Sequence, residues 1–195
     1  MLTSFPADCC ALVVEGEPVL AMDLSCMLSS FGCRIVGPAH SALEALQLLG
    51  KRRPSFALFD AHLPARSLRP LAETLTRLEV PFAVLRTDLE IGVFERVAVL
   101  RAAPQLTKPF NRWNLHRMAS ALYQIDLRNK LAATDRRISE GRQRLAQQVR
   151  LIERLEVTGV STALAASLLR EIWLALRLMR TSRTILCQQL EAYRD

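Results

Sequence analysis

The chain has 195 residues, half of them apolar, a formal net charge of +7, and only 7 Gly and 9 Pro, which excludes disorder, collagen-like repeats and low complexity. Its 5 cysteines, odd in number and irregularly spaced, exclude a disulfide scaffold and predict reduced thiols. No run approaches the roughly 18 apolar residues of a membrane span, and the start lacks the basic and long apolar regions of a signal peptide, so a soluble, cytoplasmic protein is expected.

Short apolar runs alternate with helix-length segments through the first two thirds. Strands are predicted over Cys10–Val14, Cys33–Val36, Ser55–Phe59, Pro81–Leu85 and, briefly, at Gln105–Leu106. Between them fall helices over Met22–Phe31, Ala42–Leu49, near Leu68–Leu78 and near Ile91–Leu100, with a further helix from Asn111. Strands that are apolar on both faces and separated by helices pair in parallel, with helices covering both sides. The pattern is α/β, five βα units in a five-stranded parallel doubly wound sheet.

From about Gln124 only the helical period remains. Leu131, Ile138, Leu145 and Ile152 recur every seventh residue, with Leu127 and Val149 on the same side. Gly159 is placed to end this helix and Ser161 to cap the next. The second helix carries Leu164, Leu168, Ile172, Ala175, Met179, Leu186, Leu190 and Tyr193 as its apolar stripe. The predicted division is therefore residues 8–124 for the α/β domain and 125–195 for an all-α helical hairpin. A hairpin has little interior of its own, so its stripe implies a partner surface.

Charge follows the same division. Residues 1–124 hold 13 Lys/Arg against 11 Asp/Glu, whereas residues 125–195 hold 13 against 8. The basic excess belongs to the hairpin, where arginines interspersed with acids read as a solvated face.

In an open parallel sheet, ligands bind at the carboxyl ends of the strands. The polar residues there are Glu15-Gly16-Glu17, Asp60, Arg86-Thr87 and Lys108-Pro109. A carboxylate facing other acids and a lysine can accept a phosphoryl group, with Mg²⁺ on hard oxygen ligands and the ammonium on a phosphoryl oxygen.

At these residues the sequence resembles the receiver domain of two-component response regulators. The runs Val13-Val14-Glu15-Gly16-Glu17-Pro18, Leu58-Phe59-Asp60-Ala61-His62-Leu63-Pro64 and Leu106-Thr107-Lys108-Pro109-Phe110 carry the resemblance in the family's order and spacing. It implies a flavodoxin-like receiver fold, with Asp60 as phosphoacceptor, Lys108 as the phosphate-sensing lysine, and Pro109 following it through a cis peptide. Mg²⁺ would rest on Glu15, Asp60 and the backbone carbonyl of His62, with Glu17 reaching it through water. A sensor histidine kinase is the implied partner.

Three departures bear on this. Gly16 stands where the family has its main side-chain Mg²⁺ ligand, which predicts weakened or lost metal binding. Arg86 stands at the switch Ser/Thr, with Thr87 one position late, and Gln105 replaces the switch aromatic. Arg86 either pairs with Asp60 or a bound phosphoryl group, or turns out to solvent.

His40, His62 and His116 share no metal-ligand spacing, and no CxxC, HExxH, GxSxG or P-loop motif is present, so hydrolase and other enzyme readings drop out. Cys26, Cys33 and Cys187 are read as core residues. The hairpin helices exceed the short helices of a DNA-reading motif, and Ser161-Thr162-Ala163-Leu164 offers almost nothing to read a base. Gly159-Val160-Ser161 resembles, at one turn only, the ANTAR-type RNA-binding module, and Arg142 to Leu190 is similar to small helical-hairpin proteins. The leading expectation is a regulator that signals by association, as a homodimer through the C-terminal helices. An ANTAR-like nucleic-acid binder, a phosphorylation-independent pseudo-receiver adaptor and a phosphoryl sink are the alternatives.

Overall fold

The computed structural model describes residues 3–87 and 98–193. Two compact units divide the chain, Met1–Asp126 and Leu127–Asp195.

The first unit is built on five parallel strands: β1 (Cys10–Val14), β2 (Arg34–Ala39), β3 (Phe56–Asp60), β4 (Phe82–Arg86) and β5 (Gln105–Thr107), in the order β2-β1-β3-β4-β5. β1 and β3 are central and buried along their whole length, as their unbroken apolar sequences require. Helices α1 (Pro18–Ser30), α2 (Ala42–Lys51), α3 (Ala65–Arg77) and the short α4 (Ala98–Arg101) connect them. Most of the helix predicted over Ile91–Leu100 lies outside the described residues. Leu12, Val14, Phe59, Leu68, Leu71 and Val84 are among the side chains of the core.

Local chemistry sets the helix starts. α1 begins at Pro18, four residues before the predicted start, because proline fits a first helical position that lacks an N–H partner in any case. Ser41 caps α2 by accepting from the Glu44 N–H, and the Glu44 carboxylate takes the His40 N–H at 2.8 Å. Glu79, with φ at 53°, closes α3 in a left-handed turn. His116 is a packing histidine: its Nε2 donates to Thr3 O at 2.7 Å and its ring meets Phe31 edge-on.

Helix α5 (Arg112–Val157) is unbroken, so the helix predicted from Asn111 runs on into the hairpin. In the second unit it pairs with α6 (Ala163–Glu191) across a turn in which Gly159 adopts φ of 70°. Thr162, not Ser161, holds the α6 N-cap position, and no side-chain cap bond forms. The buried side of α5 steps by three and four through Leu131, Thr134, Ile138, Gly141, Leu145, Gln148 and Ile152. That of α6 is Ala165, Leu169, Ile172, Leu176, Met179, Leu186 and Leu190.

Leu164, Leu168 and Ala175 are exposed, so the predicted α6 stripe is out of phase over its first half. Leu145 and Ile172, read as the association stripe, are half-buried within the hairpin itself. A Cβ at Gly141 would lie 2.6 Å from Leu176 Cδ2, so glycine is what lets the leucine seat there. Gln148 Nε2 donates to Ala165 O at 3.0 Å, and Arg183 pairs with Asp135 at 2.7 Å.

Candidate functional site

Strand order reverses between β1 and β3, and the crevice at their carboxyl ends holds the candidate site. Glu15 follows β1 and Asp60 ends β3, with exposures of 2% and 4%. Lys108, next after β5, places Nζ 2.9 Å from Glu15 Oε2 and 2.9 Å from Asp60 Oδ1. Two buried carboxylates sharing one crevice repel unless a cation joins them, and the ammonium does so. Burial works against the charge on Lys108, but the hydrogen bonds it donates to Glu15 and Asp60, with their negative charges, outweigh it and raise the pKa.

The backbone holds each member. Glu15 N–H donates to Ala39 O at 2.9 Å, Ala61 N–H to Leu85 O at 2.8 Å, and Lys108 N–H to Arg86 O at 2.7 Å. The Lys108–Pro109 peptide is cis. Glu17 is exposed, and its N–H binds Glu15 Oε1 at 3.1 Å. Beside the acids lies a groove of about 450 Å³ lined by Leu20, Asp23, Met27, Thr87, Pro109 and Phe110.

Two histidines at the site carry roles that the sequence motifs do not assign. His62 Nδ1 lies 3.4 Å from Asp60 Oδ1 and 3.3 Å from Oδ2, although the resemblance gives His62 a backbone carbonyl only. The available signal was spacing, since residues i and i+2 at a strand end share a side. His40 Nδ1 lies 3.2 Å from Glu15 O, a long-range contact with no local signature.

Arg86 lies partly buried at the end of β4. Among the described residues it makes no ion pair with Asp60, whose partners are Lys108 and His62. Nor does it extend freely into solvent, because its Nε is buried with no hydrogen-bond partner. Gln105 is exposed on the edge strand β5.

No protein-family model matches the chain. It is 31% identical over 101 residues to transcriptional regulatory protein PdtaR of Mycobacterium tuberculosis, covering 51% of this chain and 49% of that protein. The chain thus spans about half the length of this curated relative. The response regulator PhyR from Brucella abortus superposes with a TM-score of 0.52 at 27% identity, over 64% of this chain and 51% of that one. A Vibrio cholerae chemotaxis protein of the CheY type shares the fold, with a TM-score of 0.51 at 20% identity over 60% of this chain and 99% of its own. Strand order, the Glu15–Lys108–Asp60 cluster and these likenesses together define the first unit as a response-regulator receiver domain. A long helical region follows it, as the sequence predicts.

Receiver domains generally bind Mg²⁺ at the acidic site. Here the donor set is short. Glu15 and Asp60 each give one oxygen to Lys108, the other Glu15 oxygen accepts the Glu17 N–H, and Gly16 brings no donor. Among the described residues no group of three or more His, Cys, Asp or Glu side chains is placed to hold a metal. Among the described residues no third carboxylate joins Glu15 and Asp60, the two that would hold the ion together with water. Space is not the reason, because a Cβ at Gly16 would meet its nearest neighbours, His40 O and Leu63 Cδ2, at 3.9 Å.

Proposed function

We propose that this chain acts as a two-component response regulator, in which Asp60 takes a phosphoryl group from a sensor histidine kinase and the C-terminal helices respond by protein–protein association. The observation that carries this reading is the Lys108 ammonium at 2.9 Å from both buried carboxylates of the crevice. In the transfer, an Asp60 oxygen bonds to phosphorus while the bond from phosphorus to the donor imidazole nitrogen breaks, and the imidazole keeps the electron pair. Lys108 then pairs with a phosphoryl oxygen, so its charge stays where negative charge gathers. His62 borders the Asp60 carboxylate, on the exposed side from which a donor approaches. The role is regulatory rather than enzymatic, in the cytoplasm, with no membrane partner.

Gly16, which brings no carboxylate to the crevice, favours a second reading, a receiver that binds its partner without phosphorylation and holds Mg²⁺ weakly. The test is intact mass after incubation with a small phosphodonor, with and without Mg²⁺, beside Asp60→Asn. A phosphoryl adduct lost in the variant supports the first reading. No adduct from the phosphodonor or from a histidine kinase overturns it in favour of the second.

A further inference from the structure

Helix α6 carries two apolar seams, and α5 covers one. The covered seam runs through Ala165, Leu169, Ile172, Leu176 and Met179. One residue out of phase lies a second series, Leu164, Leu168, Glu171, Ala175, Leu178, Ser182 and Ile185, which keeps the same four-three step over three heptads and is exposed throughout. A heptad series of that length is the pattern of a helix that meets a neighbour. Leu164, Leu168, Leu178 and Ile185 are 89%, 48%, 70% and 50% exposed.

With the exposed Leu174 on its flank, the apolar surface on this face of the helix is on the order of 600 Å². That is the upper end of what a lone chain presents to water, and close to the ~800 Å² that each partner gives a stable interface.

We infer that this outer seam of α6 binds the same seam of a second copy of the chain, antiparallel about Ala175. The seam is complementary to itself in that register. Leu164 meets Ile185 of the second copy in an apolar pair, Leu168 faces the small Ser182, and the two Ala175 residues meet at the two-fold axis, where their small side chains allow the helices to approach closely. Charge fixes the direction: a parallel pair would set Glu171 against its own equivalent. The antiparallel pair moves each Glu171 a turn from the axis, toward Leu178 of the other copy. The inference gives the association proposed for the C-terminal helices a face and a partner, and it does not depend on phosphorylation of Asp60.

The experiment is sedimentation equilibrium of the full chain beside Leu168→Glu/Leu178→Glu, with Ala175→Cys and Leu164→Cys oxidised separately. These positions are on the surface, so circular dichroism should be unchanged. A dimer that the double substitution converts to monomer, and that Ala175→Cys cross-links while Leu164→Cys does not, is the expected result. A wild-type monomer at high concentration, or a dimer indifferent to the double substitution, overturns the inference. A dimer that cross-links through Leu164→Cys instead overturns its antiparallel register. Absence of an Asp60 adduct alongside an intact dimer would count against the phosphoryl reading alone.

Discussion

Arg53 reaches Asp126 across the first unit, Nη1 to Oδ1 at 2.8 Å, and Asp126 is fully buried. The same guanidinium caps the end of α3, donating from Nε to Leu78 O at 3.1 Å and from Nη2 to Glu79 O at 2.8 Å. One side chain therefore neutralises a buried carboxylate and satisfies two terminal carbonyls. Arg53→Ala should cost about 2–4 kcal/mol, since removing one partner strands a buried charge. Urea unfolding checks this, and Arg53→Lys should recover only part, having no planar fork with which to reach all three oxygens.

Lys108→Met should destabilise the receiver by about 2–4 kcal/mol through the repulsion it releases between Glu15 and Asp60. Adding Asp60→Asn should recover part of the loss, because the two substitutions act on one cluster. Additive effects in thermal denaturation would contradict the bridge.

The raised pKa of Lys108 sets a pH dependence with a definite sign. The bridge contributes its full stability below the ordinary lysine value of 10.5 and loses it as pH rises through the higher folded value. Melting temperatures of the wild type and Lys108→Met should therefore converge at strongly alkaline pH. A gap that stays constant there would exclude the bridge as its source.

Gly16→Asp supplies a third carboxylate where space allows it. Mg²⁺ affinity should rise roughly tenfold or more, since this ion is held by charged oxygens. Without metal the variant should melt lower than the wild type, from added like charge, and Mg²⁺ should restore it. Calorimetric titration that finds equal affinities would show that Gly16 is not what limits the site.

In the hairpin, Gly141→Leu should destabilise by about 1–3 kcal/mol, because Leu176 already fills the space. Gly141→Ala balances about 1 kcal/mol of helix propensity against the same crowding. Combined with Leu176→Ala it should be milder than Leu176→Ala alone. Guanidinium unfolding followed by circular dichroism at the helix band reads all four variants.

Thiol reactivity should divide the cysteines by burial. Cys26, predicted to be a core residue, is exposed on α1 and should label first. Cys9 lies 3.7 Å from Cys33, and this hydrogen bond, together with burial, pushes its pKa up. Its thiolate is thus scarce, and it should label slowest in native conditions, with Cys187 between them. Mass spectrometry of partly labelled protein gives the order.

The features legible in the sequence are those written in contiguous residues. Apolar runs at Cys10–Val14 and Phe56–Phe59 leave no solvated face, so central parallel strands follow, and Glu15, Asp60 and Lys108 end their strands at one edge. What the sequence hides depends on distant partners: His40 on the Glu15 carbonyl, and Arg53 on Asp126. Cys26 sits between Leu24 and Leu28, which are buried, while its own side of α1 faces out, a difference that local apolar composition does not encode. The phase of the α6 stripe is hidden in the sequence because leucines occupy both heptad series and Arg183 stands in the inner one. A period gives the spacing of a face but not which of two equivalent faces turns inward.

The turn at Gly159 offers a point of attachment. Residues 157–161 are exposed, and a Cβ at Gly159 would meet nothing within 4 Å, so no packing fixes the length of this loop. Doubling a loop costs only about 0.6 kcal/mol in closure entropy. A peptide epitope or a fluorophore-bearing insert between Gly159 and Val160 should be tolerated, and it would report on the protein in cells while leaving the acidic crevice untouched.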